Sequence, residues 1–272
     1  MINKGISLEV EELQRKIKFQ EDFLLNISHD LRNPLNVILS VLQCMKYVEN
    51  DETEKREEYL SIIKRNSLKM VKLINNLIDT TKMERDYFTL KKQNLDIVRF
   101  IEGTIVSIDK YAEQKNIQLI FDSNKEECIT AFDPEAMDRI ILNLVSNAIK
   151  FSDVGGNVWI NIYSNDEFVN ICVKDNGPGI SKEDQKYVFN RFVQTSNSKN
   201  SEQSGSGIGL DLVRYLVKFH DGNIKLISDE GVGSEFIITL PIKIDSSIES
   251  ETRLLSNRRI EQLEIEFSDI YL

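Results

Sequence analysis

Two histidines occur among the 272 residues, and one lies in Ser28-His29-Asp30-Leu31-Arg32-Asn33-Pro34-Leu35. A neutral imidazole attacks through the lone pair of one ring nitrogen while the other keeps its proton. Asp30 has the chemistry to hold that proton, fix the tautomer and stabilise positive charge on the ring. Asn33, one turn on, carries an amide that can position a water or cap a kink at Pro34. A second polar set lies far along the chain. Asn143, Asn147 and Lys150 recur at helical spacing, joining amide oxygens suited to a hard divalent cation with an ammonium suited to phosphate. Asp175-Asn176-Gly177-Pro178-Gly179-Ile180 puts a carboxylate at a turn, where it can accept from an exocyclic amine. Gly205-Ser206-Gly207-Ile208-Gly209-Leu210 precedes a helix whose first N–H groups can hold phosphate.

The elements that carry these residues follow from periodicity. Leu24, Ile27, Leu31, Leu35, Ile38, Leu42 and Met45 fall in a stripe roughly 80° wide on one helix. His29 and Asn33 each project about 160° from its centre, on the solvent side. Pro34 has no N–H for the carbonyl of Asp30, which predicts a bend just below the histidine. Leu60, Ile63, Met70, Ile74 and Leu77 mark a second helix after the acidic link Glu49–Glu54. Two such helices make a hairpin with an apolar stripe too large to bury alone, and pairing two hairpins into a four-helix bundle covers it. This half is expected to be a homodimer.

Charged residues 1–18 read as a helical lead-in and residues 19–88 as the hairpin, with periodicity lost around 82–93. Residues 95–242 mix helix and strand. Val98–Lys115, Asp133–Phe151 and Ser206–His220 read as helices, and 117–121, 158–163, 169–174, 224–228 and 235–240 as strands. The order fits an α/β sandwich of a mixed sheet against helices. Ile141, Leu144, Val145 and Ala148 share one side of the Asp133–Phe151 helix, with Asn143, Asn147 and Lys150 roughly 140° away. Taken alone, that polar side better suits a solvated face. His220, at a helix end before Asp221-Gly222, suits the helix dipole and reads as structural. Residues 243–272 have no assigned role. Alternation of Leu263, Ile265 and Phe267 suggests an edge strand or a partner-binding segment.

A net charge of −10 argues against nucleic-acid binding. Cys44, Cys128 and Cys172 are scattered, without metal or disulfide spacing, and read as reduced thiols of a cytoplasmic protein. No apolar run reaches the ~20 residues of a membrane span. The chain itself is expected to make no membrane contact, as the truncated soluble core of a membrane-bound sensor or a partner-driven protein.

The octapeptide around His29 resembles the phosphoacceptor box of sensor histidine kinases. Asn143–Phe151 resembles their asparagine box, Phe189-Asn190-Arg191-Phe192 their phenylalanine box, and Asp175–Ile180 and Gly205–Leu210 their glycine boxes. The resemblance covers residues 20–242 in the family's order. It implies a dimeric helical hairpin followed by an ATP-binding domain of the type shared with Hsp90, gyrase and MutL. The nucleophile would be His29 with Asp30 as its orienting base, and Asn33 would serve a phosphatase activity. Asp175 would contact the adenine amine, with Gly177 and Gly179 shaping its turn. Asn143 and Asn147 would hold Mg2+, and Lys150 and Arg191 would approach the phosphates of ATP. Gly205, Gly207, Gly209 and Leu210 would shape the phosphate cradle and the hinge of a lid over Gln194–Ser204. The phosphoryl group would pass to a response-regulator receiver domain. Rival readings are a conformational ATPase of the Hsp90 or MutL class and a non-catalytic dimeric scaffold that binds a regulator.

Overall fold

The computed structural model describes residues 2–49, 52–84, 88–191, 193, 207–246 and 258–268, with side chains from residue 24 onward except 80, 83–84 and 258–261. The chain divides into two compact units, Met1–Leu73 and Ile74–Leu272.

The first unit is helical. Helix α1 spans Ile2–Met45 without interruption, so the lead-in and the His29 segment are one helix. It runs through Pro34, which is buried. Helix α2 spans Thr53–Glu84, and its residues from Ile74 onward belong to the second unit. The stripe is incompletely covered within one chain, since Leu24, Leu35 and Leu42 stay 62%, 42% and 45% exposed.

The second unit is a two-layer α/β sandwich. Its elements run β1 (Gln93–Asp96), α3 (Ile97–Glu113), β2 (Gln118–Ser123), β3 (Ile129–Phe132), α4 (Pro134–Phe151), β4 (Asn157–Ser164), β5 (Phe168–Asp175), α5 (Gly209–Phe219), β6 (Asn223–Asp229), β7 (Gly233–Pro241) and α6 (Arg258–Glu266). Five strands pair in the order β2-β4-β5-β7-β6, with β2 parallel to β4 and the other pairs antiparallel. Strands β1 and β3 form a separate antiparallel pair.

Alternation in β4 shows why the sheet is one-sided. Val158, Ile160 and Ile162 are fully buried towards the helices, whereas Trp159, Asn161 and Tyr163 face outward. Helix α4 lies between α3 and α5, and the core gathers around it. Its start is well specified: Asp133 Oδ1 accepts from the N–H groups of Glu135 and Ala136, and Pro134 occupies the first turn. Asp96 caps α3 in the same way and also accepts from Cys128 N.

The tail differs from expectation. Its residues 258–266 form the helix α6, in keeping with Leu263 and Phe267 as i,i+4 neighbours on one apolar face. Both are buried, and the Phe267 ring stacks on Tyr111 of α3 with centroids 4.7 Å apart. No described helix is long and apolar enough to cross a membrane.

Candidate active site

On α1 the His29 side chain is 71% exposed, and its Nδ1 lies 3.5 Å from Asp30 Oδ1. Asp30 is more sheltered, and burial pushes its carboxyl above the usual carboxylate range while the His29 contact pulls it down. Ser28 Oγ turns back to donate to Leu24 O at 2.7 Å and so does not compete for the ring. Asn33 is exposed. The octapeptide therefore presents a free imidazole edge beside a carboxylate whose raised basicity suits a proton acceptor.

In the second unit the polar side of α4 is sheltered, not solvated. Asn143 and Lys150 are 5% and 6% exposed, and Asn147 is half-buried. Helix α5 packs against α4, with its first residue Gly209 beside Asn143. Asn143 Nδ2 donates to Arg139 O at 3.0 Å, and its Oδ1 lies against Gly209 at the first position of α5. Arg139 itself pairs with Asp79 in the last turns of α2. The Lys150 ammonium sits 5.5 Å from the centroid of the Phe151 ring.

Asp175 ends β5 and is buried. Its Oδ1 accepts from Gly177 N at 2.9 Å and Ser234 N at 3.2 Å. Burial raises its pKa, and the two N–H donors oppose that shift. Around it the chain is packed so closely that glycine is demanded twice over. Gly179 has φ +68° and Gly233 φ +130°, and a side chain on either would collide with a backbone carbonyl, of Asp229 and Asp175 respectively. Gly177 abuts Phe151 O, where a Cβ would lie at 2.8 Å.

The β6–β7 turn is thus part of this site. Ser228 Oγ accepts from Ile180 N and donates to Gly233 O, both at 2.8 Å, while Gly231 N donates to Pro178 O at 2.7 Å. The available signal was Gly231-Val232-Gly233-Ser234, which by itself marks only a turn.

Arg191 lies in a buried ion-pair cluster. Its Nε pairs with Asp211 Oδ2 at 2.6 Å, and Arg214 takes Asp211 Oδ1 at 2.7 Å, with the Tyr215 ring beside both guanidinium groups. Gly207 has φ +66°, and Leu210 packs on the core. Gly205, Phe192 and the expected lid over Gln194–Ser204 lie outside the described residues. His220 is buried: its Nδ1 lies 2.7 Å from Leu216 O, and Asp133 N donates to its Nε2 at 3.1 Å. Burial lowers its pKa, and the ring, accepting from Asp133 N at Nε2, joins the end of α5 to the start of α4.

The fold and site define a class: a helical segment with an exposed histidine, joined to an α/β sandwich with a buried carboxylate at a glycine turn and a sheltered asparagine face. Residues 19–86 match the His Kinase A (phospho-acceptor) domain, and residues 132–244 match the histidine kinase-, DNA gyrase B- and HSP90-like ATPase. The chain belongs to the sensor histidine kinases of two-component systems. It is 31% identical to histidine kinase P4 of Formosa agariphila over 97% of this chain and 20% of that protein. It is 28% identical to the sensor histidine kinase WalK of Bacillus subtilis over 88% of this chain and 39% of that protein. The chain therefore spans a fifth to two fifths of these relatives' length. Its fold also resembles that of the histidine kinase ThkA, solved in complex with the response regulator protein TrrA, with a TM-score of 0.62, 20% identity, and coverage of 85% of this chain and 64% of that one.

Proposed function

We propose that this chain transfers the γ-phosphoryl group of Mg-ATP to His29 and then to an aspartate of a response-regulator receiver domain. The observation that carries the reading is the exposed His29 ring with Nδ1 turned towards Asp30. With the proton on Nδ1 facing the carboxylate, the lone pair lies on Nε2, at the open edge of the ring. Nε2 forms the bond to phosphorus as the bond from phosphorus to the β,γ-bridging oxygen breaks, and ADP leaves. Asp30 stabilises the positive charge that grows on the ring and accepts the Nδ1 proton.

The residues of the second unit fit the nucleotide. Asp175 Oδ2 can accept from an exocyclic amine, since Gly177 N and Ser234 N both donate to Oδ1. Among the described residues no group of three or more His, Cys, Asp or Glu side chains could hold a metal ion. The amide oxygens of Asn143 and Asn147 suit a Mg2+ that brings phosphate and water as its remaining ligands. Bound there, the ion neutralises charge on the phosphoryl group in transfer, where most catalysis of this reaction lies. Lys150 and Arg191 belong to the phosphate end, Gly177 and Gly179 to the base end, and Gly205, Gly207, Gly209 and Leu210 to the cradle.

The active state is a homodimer, an assignment supported by the part-exposed stripe on α1 and by exposed Leu60, Ile74 and Ile78 on α2. The regulator assignment is supported by the ThkA–TrrA complex. The chain acts in the cytoplasm, without membrane contact of its own. Exposed Asn33, one turn from His29, supports a second activity in which its amide orients water against the regulator's aspartyl phosphate. Asn33→Ala is expected to abolish dephosphorylation and spare autophosphorylation.

Incubation with γ-labelled ATP tests the central assignment. Acid-labile, base-stable label that disappears in His29→Gln is the expected result. Turnover of ATP without label would make the chain a conformational ATPase, and neither activity would leave a regulator-binding scaffold.

A further inference from the structure

The last turn of α4 ends inside the protein, and its carbonyls need partners there. Ser152 satisfies Ala148 O twice, from its backbone N–H at 3.0 Å and from Oγ at 2.7 Å. Three other carbonyls go to a single cation from a different element. Lys115, two residues beyond the end of α3, donates from Nζ to Ile149 O at 3.0 Å, Lys150 O at 2.6 Å and Ser152 O at 2.7 Å. An ammonium has three N–H donors, and here each meets one carbonyl. Lys115 is 7% exposed, and its charge complements the negative end of the helix. The remaining carbonyl of that turn, Phe151 O, abuts Gly177 in the Asp175 loop.

We infer that Lys115 is a positioning residue for the nucleotide site, holding the backbone from which the Lys150 ammonium is presented. The inference rests on the assignment of Lys150 to the phosphates. Because Ser152 already closes the helix, the three bonds from Lys115 do more than terminate it. They immobilise residues 149–152, the stretch that carries Lys150 and meets the base-binding loop through Phe151. A neutral side chain at 115 would release three carbonyls at once, and the released turn would let the Lys150 ammonium drift, whereas Asp175 keeps its own bonds from Gly177 N and Ser234 N.

Equilibrium binding of ATP and of adenosine to the full chain, in Lys115→Met, Lys150→Ala and the double variant, tests this. Lys115→Met is expected to weaken ATP roughly tenfold, the worth of one charge-assisted hydrogen bond. Adenosine binding should stay within about twofold of the parent, and Lys115→Met should cost ATP nothing further once Lys150 is alanine. Equal losses for ATP and adenosine overturn the inference and leave Lys115 a structural cap. So does a Lys115→Met loss that persists undiminished in the Lys150→Ala background. If Lys150→Ala alone binds ATP like the parent, the phosphate assignment falls and the inference falls with it. Lys115→Gln keeps an N–H donor without the charge and carries the same comparison if Lys115→Met does not fold.

Discussion

Gly209 faces Oδ1 of Asn143 so closely that any side chain at 209 would collide with that amide. The φ of Gly209 is not positive, so closeness and not backbone conformation demands the glycine. Asn143 is held from the other side by its bond to Arg139 O. This contact joins the start of α5 to the expected cation ligands on α4.

Gly209→Ala should therefore displace one side chain while leaving the backbone intact. We expect Mg-ATP affinity to fall roughly tenfold, about 1.4 kcal/mol, with nucleotide binding in the absence of Mg2+ nearly unchanged. Calorimetric titrations with and without the ion measure both. Unaltered Mg2+ dependence would remove Asn143 from the cation site.

The His220–Asp133 bond predicts an acid-side loss of stability. Asp133 N–H needs an acceptor, and only a neutral imidazole offers Nε2 for it. Burial lowers the folded pKa, with Lys92 acting in the same direction, while the bond to Leu216 O and the Asp133 and Asp221 charges act against it. The unfolded histidine titrates near its ordinary value of about 6.5. Above that pH both states are neutral and the stability is fully present. Below it the unfolded chain takes up a proton that the folded chain refuses, so stability falls until the lowered folded pKa is reached. Urea midpoints measured from about pH 8 to about pH 5 should show this slope, and His220→Gln should flatten it.

The Asp211 carboxylate is 1% exposed and shared by two arginines that differ in burial. Removing the acid takes the counter-charge from the 8% exposed Arg191 side chain, so Asp211→Ala should cost about 3–5 kcal/mol in denaturant unfolding. Arg214 is 45% exposed, and Arg214→Ala should cost only about 0–1 kcal/mol. Equal costs would show that the buried pair is not the dominant one.

Helix α6 is packed as a structural part of the second unit. Phe267 is fully buried on Tyr111, with the rings 20° from parallel. Phe267→Ala should destabilise that unit by about 3–5 kcal/mol in the same assay. A cost under about 1 kcal/mol would mean that α6 contributes little to this unit's stability.

Local signals account for most of what was readable in advance. The His29 octapeptide sits within one helix, and its exposure follows from helix arithmetic alone. The helices and the five main strands announce themselves through apolar period, and Asp133-Pro134 marks a helix start by chemistry confined to a few residues. Strands β1 and β3 escaped because each has four residues and exists only through pairing with the other. The tail misled because Leu263, Ile265 and Phe267 satisfy a strand period while 263 and 267 also satisfy a helical one. The surface of α3, through Tyr111, chose between them.

The sequence by itself determined which functional groups exist and which stand on a common helix face, because those relations depend on spacing along one element. Tertiary structure decided their partners. Lys115 reaches its carbonyls across 34 to 37 residues, Ser234 reaches Asp175 across 59, and His220 reaches Asp133 across 87. Apolar burial brings such segments together without regard to direction, and only the assembled layers settle which buried donor meets which acceptor. For that reason the solvated-looking face of α4 became a sheltered site, and Arg191, expected at the phosphates, pairs with Asp211 in this structure.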